Sequence, residues 1–351
     1  MAPFAILLLF VLTCSFPCSS YGTSNQPSYS ALYAFGDSIL DTGNNNFIPT
    51  VLQSNHAPYG VSFPGSTGRF SNGKLISDFL VSSLGIKHYL PPFLDPNLSN
   101  DELITGVCFA SAGSGYDEIT SAALHIIPVV KQLGLFQSYI NRLTAIVGQQ
   151  ESKRIIESSL ILVSAGSNDH LISYYDSGAR KIQFPNIEDY HDFLHSRMAY
   201  FVEGLHEFGA RRMVVMGIPP IGCLPLQKAL SLLPGSCVDY QNKDSVSFNE
   251  KLKKNLALLE GSLHGTKIAY AEVYQPFMDI IASPHSFGMD DVSGGCCGTG
   301  YLELAYLCSK GSPTCSYPNC HLFFDSVHPS EAAYWYIFQY FKKKLFDGSH
   351  F

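Results

Sequence analysis

Four apolar runs, each closing in a glycine- or proline-rich turn and separated by helical patterns, restrict this chain to a narrow class of folds. They are Ala31–Phe35 before Gly36, Leu160–Ala165 before Gly166, Met213–Met216 before Gly217, and Ile268–Val273. Short continuous apolar runs of this kind are strands buried on both faces. Gly106–Ala110, before Ser111, is a shorter fifth candidate. Between the runs, Ile187–Phe208 places Tyr190, Leu194, Phe201, Leu205 and Phe208 on one helical face, with Asn186 as N-cap and acids in the first turn. Val246–His264 repeats the pattern with Phe248, Leu252, Leu256, Leu259 and Leu263, leaving Lys251, Lys253, Lys254 and Glu260 outside. A last helix is expected from near Ser330 through Trp335 to about Phe346. Strands alternating with helices predict right-handed βαβ units and a parallel sheet covered on both faces. In such sheets the chemistry gathers at the carboxyl ends of the strands.

Nothing divides the chain. There is no internal repeat and no long linker, and segments 43–75, 91–106 and 284–323, rich in Gly, Pro, Asn and Ser, are excursions from one core. With 351 residues, 46% of them hydrophobic and 15% charged, the chain can fill that core and is not disordered. The expected division is a signal peptide over 1–20 and a single domain over 21–351. Phe4–Leu12 is an apolar run too short to span a bilayer, which needs about 20 residues in a helix. It fits the core of a secretory signal, although no Lys or Arg precedes it, and the small residues Cys18 and Ser20 suit cleavage near Ser20.

Of the 10 cysteines, cleavage removes Cys14 and Cys18 and leaves an even number, which in a secreted chain favours disulfides. Six lie in two local groups, Cys223 with Cys237, then Cys296, Cys297, Cys308 and Cys315; Cys108 and Cys320 remain. No Cys-x-x-Cys pair suggests zinc. Asn97-Leu98-Ser99 is the one N-glycosylation sequon, in a Pro/Asn-rich stretch typical of a surface. The expected location is secreted and extracellular.

The net charge of −7 is spread along the chain, with no basic stripe, so nucleic acid and anionic membranes are poor partners. Lys342-Lys343-Lys344 closes a helical pattern and complements the helix dipole there. Three motifs fail on inspection. Gly68 to Lys74 has phosphate-loop spacing, but Leu75 follows where a hydroxyl is needed, and no strand precedes it. His191-Asp192-Phe193-Leu194-His195 lacks the Glu of a metalloprotease and a third ligand, so it is expected on a solvated helix face. Gly-x-Ser-x-Gly is absent, which excludes the nucleophile elbow of α/β-hydrolases.

One constellation survives. Ser38 follows the first strand in Phe35-Gly36-Asp37-Ser38, and a tight strand-to-helix turn can lift its hydroxyl and N–H above the sheet edge. In Asp325-Ser326-Val327-His328-Pro329 a carboxylate three residues before an imidazole can hold Nδ1 while Nε2 faces a nucleophile. Two further strand ends complete the requirement of acyl transfer for donors at a developing oxyanion. Phe109 to Gly115 offers backbone N–H groups, and Gly166-Ser167-Asn168-Asp169 offers a side-chain amide.

In these motifs the chain resembles the plant GDSL esterase/lipases, a branch of the SGNH hydrolases. The resemblance is carried by Phe35 to Ser38 continuing into Asp41-Thr42-Gly43-Asn44-Asn45, by Gly106 to Gly113, by Gly166 to Asp169 and by Asp325 to Pro329. Gly217 to Cys223 and Gly295 to Gly300 are similar to plant-branch signatures. The resemblance implies an α/β fold of the flavodoxin-like kind, a three-layer α/β/α sandwich with a five-stranded parallel sheet, and no cofactor or metal. It implies Ser38 as nucleophile, His328 as base and Asp325 as its orienting carboxylate. It implies an oxyanion hole of the Ser38 and Gly113 N–H groups with the Asn168 amide. Cys108 stands where many relatives have Asn and resembles the extracellular-lipase subgroup. Whether it pairs with Cys320 stays open.

The favoured expectation is a secreted esterase or lipase acting on a lipid or a small acylated molecule through an acyl-enzyme. An acyltransferase using the same triad and a non-catalytic extracellular binding protein are the alternatives; every catalytic position is filled, which argues against the second. Acyl length and oligomeric state are not legible in the sequence.

Overall fold

The computed structural model describes residues 29–122, 124–231 and 235–346. The expected signal segment, with Cys14 and Cys18, lies outside them. Four parallel strands form the central sheet in the order β1 (Leu32–Gly36), β2 (Leu160–Ser164), β3 (Arg212–Met216) and β4 (Lys267–Ala271). Leu32 pairs with Leu160, Ile161 with Met213, and Arg212 with Lys267. The side chains of β1 and β2 are buried throughout, which is why those sequences run apolar without alternation.

The expected fifth strand is a correction. Around Gly106–Ala110 the chain is extended beside β1, with Ala34 N–H donating to Val107 O at 3.3 Å and Phe109 N–H to Ala34 O at 2.7 Å. It forms only isolated bridges, Cys108 to Ala34 on one side and to Pro92 on the other. The Gly36 N–H that would continue the ladder donates instead to Gln132 Oε1 at 2.8 Å, so the segment stays short of a regular strand. It nonetheless lies on the far side of β1 from β2. The chain therefore leaves β1 to one side and returns to the other, which makes the carboxyl end of β1 the switch point where such sheets bind ligands.

Two helical layers sandwich the sheet. Helices Val129–Val147, Ile187–Glu207 and Asp239–Ser262 pack against one another, as do Ile76–Ser83, Tyr274–Ala282 and Glu331–Phe346. The Asn186 side chain caps its helix by accepting Glu188 N–H at 3.2 Å. Gly36 has φ 127° because β1 passes β2 so closely that a Cβ would meet Ser164 O at 1.8 Å; no other residue fits.

Segment 284–323 holds structure that its composition concealed. A parallel pair, β5 (Asp291–Gly295) and β6 (His321–Phe323), stands apart from the main sheet. Disulfides Cys296–Cys315 and Cys297–Cys308 close the loops between them, and Cys223–Cys237 closes a third. Cys108 and Cys320 are both unpaired, and the Cys108 thiol donates to Leu40 O at 3.0 Å.

Candidate active site

β1 delivers Ser38. After Gly36, Asp37 N–H donates to Ser164 O at 3.0 Å, and Leu40 and Asp41 N–H return to Asp37 O at 3.1 and 3.0 Å. The result is a closed turn rather than the expected helix start. Asp37 to Ser38 is thereby lifted over the sheet edge, where Ser38 is 7% exposed.

β6 delivers the partner group. Phe324 N–H bonds His328 O at 2.8 Å, folding Asp325–His328 into a tight loop. Asp325 Oδ1 accepts the N–H groups of Val327 and His328 at 2.8 and 2.7 Å. Its Oδ2 is 2.8 Å from His328 Nδ1, and His328 Nε2 is 2.7 Å from Ser38 Oγ. With Asp325 ionised, Nδ1 carries the proton and Nε2 accepts from the serine. The Phe70 ring lies against the imidazole, with centroids 4.8 Å apart.

The block Asp41 to Asn45 stitches two loops together. Asp41 accepts Gly43, Asn44 and Ala112 N–H groups at 2.8, 2.7 and 2.9 Å. Asn44 Nδ2 donates to Cys108 O and Ala110 O, and Asn45 Nδ2 to Ala112 O. These bonds hold Ala112-Gly113 beside Ser38, with Gly113 at φ 85°. Among the described residues the Ser38 and Gly113 N–H groups make no hydrogen bond, so both are free to donate into the cleft. Asn168 opens a π-helix, Asp169–Asp176, and one of its amide hydrogens goes to Ser114 O at 3.0 Å. Such wide turns recur at functional sites because they re-aim side chains. Ser38, His328, Gly113 and Asn168 all line one cleft of about 190 Å³, walled by Leu52, Leu124, Leu171, Ile172, Leu226 and Leu304.

Burial sets the electrostatics around this cleft. Asp169 is pushed up to about 7 by burial, opposed by the Thr120 hydroxyl and the Tyr116 and Asp117 N–H groups. Asp37 is pushed up to about 8, again by burial, and its Oδ2 has no partner among the described residues. A group whose folded pKa exceeds the unfolded value stabilises the fold fully below the unfolded value and loses that contribution as pH rises. For Asp37 the window runs from 3.8 to about 8. Asp37→Asn, which cannot ionise, should therefore match the wild-type Tm at pH 3 and exceed it by a margin that widens to pH 8 and then levels off. Thermal melts across that range check it; a constant margin would show that Asp37 is ionised in the fold.

His191 and His195 are not on a solvated face: both are buried, His195 stacks on Phe248 at 4.4 Å, and His191 Nε2 meets His170 Nε2 at 2.9 Å. The apolar stripe of their helix is simply wider than the periodicity showed. Burial pulls His195 down to about 4, so it packs as a neutral ring. Arg69, in the abandoned phosphate-loop segment, forms a buried bidentate pair with Asp78 at 2.8 Å and donates to Leu90 O, so that segment is a structural clamp. Asn97 is exposed, and Ser99 of its sequon caps the short helix Asn100–Ile104. Among the described residues no three His, Cys, Asp or Glu side chains cluster as a metal site.

The family model for GDSL-like lipase/acylhydrolase matches residues 32–341, from β1 into the last helix. The chain belongs to that family. GDSL esterase/lipase At2g30220 of Arabidopsis thaliana is 48% identical over 334 residues, covering 94% of this chain and 93% of that protein. At2g31550 from the same plant, also a GDSL esterase/lipase, is 45% identical, with 94% of each chain covered. A solved acetylxylan esterase mutant from Geobacillus stearothermophilus aligns with 92% of this chain and 96% of its own at TM-score 0.43 and 13% identity, a likeness too loose to argue from. As a GDSL esterase/lipase relative, the protein is a carboxylic ester hydrolase, an enzyme taking an ester substrate. No helix among its described residues is long and apolar enough to cross a membrane.

Proposed function

We propose that this GDSL hydrolase is a secreted serine esterase that cleaves lipid or small acylated esters through an acyl-enzyme on Ser38. The observation that carries the reading is the 2.7 Å contact of Ser38 Oγ with His328 Nε2, backed by Asp325. His328 Nε2 takes the Oγ proton as Oγ bonds the ester carbonyl carbon. The oxyanion so formed is met by the Ser38 and Gly113 N–H groups and the free amide hydrogen of Asn168. On collapse the ester C–O bond breaks, and His328 returns its proton to the departing alcohol. Water, deprotonated by the same imidazole, then releases the acid and restores Ser38.

The leucine- and isoleucine-walled cleft favours an apolar acyl chain over a polar one, since its walls offer carbon and almost no unpaired donors. A hydrolysis screen across acyl lengths and acylated sugars, with Ser38→Ala as blank, tests both the reaction and this selectivity. Added alcohol separates hydrolysis from acyl transfer by its products. Asn168→Ala should keep the nucleophile and lower kcat by roughly 100–1,000-fold, the usual loss for one oxyanion donor. An unchanged kcat would remove Asn168 from the oxyanion hole.

The same reading takes residues 1–20 as a removed signal, Asn97 as glycosylated, and 21–351 as one hydrolase domain. Intact-mass measurement of protein from the medium, before and after alkylation of the denatured, unreduced chain, should show a start near residue 21, a glycan, and two alkylated thiols. A chain that still begins at Met1 overturns the cleaved signal, retention in the cytosol overturns secretion, and more than two thiols overturns the oxidised compartment.

A further inference from the structure

Tyr59 lies in the loop after Pro58, is 1% exposed, and is separated from Asp325 by 266 residues. Its hydroxyl donates to Asp325 Oδ2 at 2.7 Å and accepts Ala305 N–H at 3.0 Å. Ala305 sits within the loop that the Cys297–Cys308 disulfide closes. We propose that Tyr59 is a positioning residue for ester hydrolysis, holding and polarising Asp325 so that His328 presents Nε2 to Ser38. The inference rests on the reading of Ser38, His328 and Asp325 as the reacting triad.

The bonding of Asp325 makes the case. Oδ1 takes two backbone N–H groups from its own loop, which fixes one edge of the carboxylate, and lies 3.0 Å from His328 Nδ1, a longer contact than that of Oδ2. Oδ2 takes His328 Nδ1 on one side and Tyr59 on the other. Without the tyrosine, only the imidazole itself would restrain that oxygen. The second effect is electronic. A hydroxyl donating to Oδ2 draws charge from the carboxylate and lowers the basicity that Asp325 confers on His328. Burial, and then the Asp325 charge, push the Tyr59 phenol well above its ordinary range, so it stays a donor throughout the working pH range.

A packing role alone would need no hydroxyl. The Tyr59 ring already meets Phe70 and Phe324 edge-on, with centroids 5.6 and 5.4 Å apart, and phenylalanine would do the same. The other ionisable groups facing Asp325 are His328 on its own loop and Tyr334 on the final helix, which also faces Asp37 on the Ser38 turn. The Tyr334 hydroxyl is buried with no partner among the described residues, so it is the natural control.

The test measures kcat, KM and their pH profiles on one activated ester for the mature protein. Tyr59→Phe should lower kcat about 10–100-fold, the worth of one hydrogen bond to a charged group, with KM unchanged. The acid limb of its profile should move to higher pH, because a less polarised Asp325 makes His328 more basic. Tyr334→Phe should leave that limb in place. Replacing Tyr59 with 3-fluorotyrosine, a stronger donor of nearly the same shape, should move the limb to lower pH, and it serves if Tyr59→Phe fails to fold. A limb that stays at the wild-type position in both Tyr59 variants that fold, or in the fluorotyrosine protein alone, overturns the proposal and leaves Tyr59 as packing. That outcome with an inactive Ser38→Ala leaves the triad standing; an active Ser38→Ala would overturn the triad itself.

Discussion

Ser38→Ala is expected to lower turnover of an activated ester by at least about 10⁴-fold, leaving only what the oxyanion donors supply. The change removes one hydroxyl at the end of β1. Backbone bonds from Asp37, Leu40 and Asp41 shape that turn, and none of them involves the serine side chain. The Tm should therefore stay close to wild type, which separates loss of chemistry from loss of fold. A folded Ser38→Ala protein with more than a few per cent of the wild-type rate would mean that another group attacks the ester.

The next largest effect should come from Asp325→Asn, at about 10⁴-fold in kcat. The amide oxygen can still accept the Val327 and His328 N–H groups, so the loop keeps its shape. The amide nitrogen then faces His328 Nδ1, where two donors cannot meet. That clash favours the tautomer with its proton on Nε2, the atom that has to accept from Ser38, although the amide oxygen still lies 3.0 Å from Nδ1. No carboxylate remains to stabilise the imidazolium. Kinetics on a correctly folded variant decide the point: a mild loss would show that Ser38 and His328 work as a dyad, with Asp325 a loop anchor only.

Where apolar side chains reported on burial, the sequence was legible. β1 to β4 begin within one residue of the expected starts, since strands covered on both faces must run apolar. The helix expected from Val246 begins at Asp239 instead, and the reason lies in its buried face. Gln241, Asn242, Ser245 and Asn249 are all buried there, bonded to the loop after β3 and its surroundings; Asn249 alone accepts Ile218 N–H and donates to Ile218 O. A polar face bonded to a neighbouring loop carries no hydrophobic period. β5 and β6 were hidden for a different reason: Asp291–Gly295 is poor in strand formers, and His321–Phe323 is too short to show a period. The motif residues Ser38, Asn168, Asp325 and His328 stood out because turn chemistry is local. Tyr59 gave no signal at all. Its importance exists only where two remote loops meet.

The separation of Ser38 and His328 by 290 residues also sets a clock on synthesis. A ribosome adding about 5–20 residues per second makes the serine roughly 15–60 s before the imidazole. On the proposed triad, Ser38 is throughout that interval an ordinary alcohol with no base to activate it. On that same triad, messages cut short anywhere before Asp325 yield silent products rather than partly active ones.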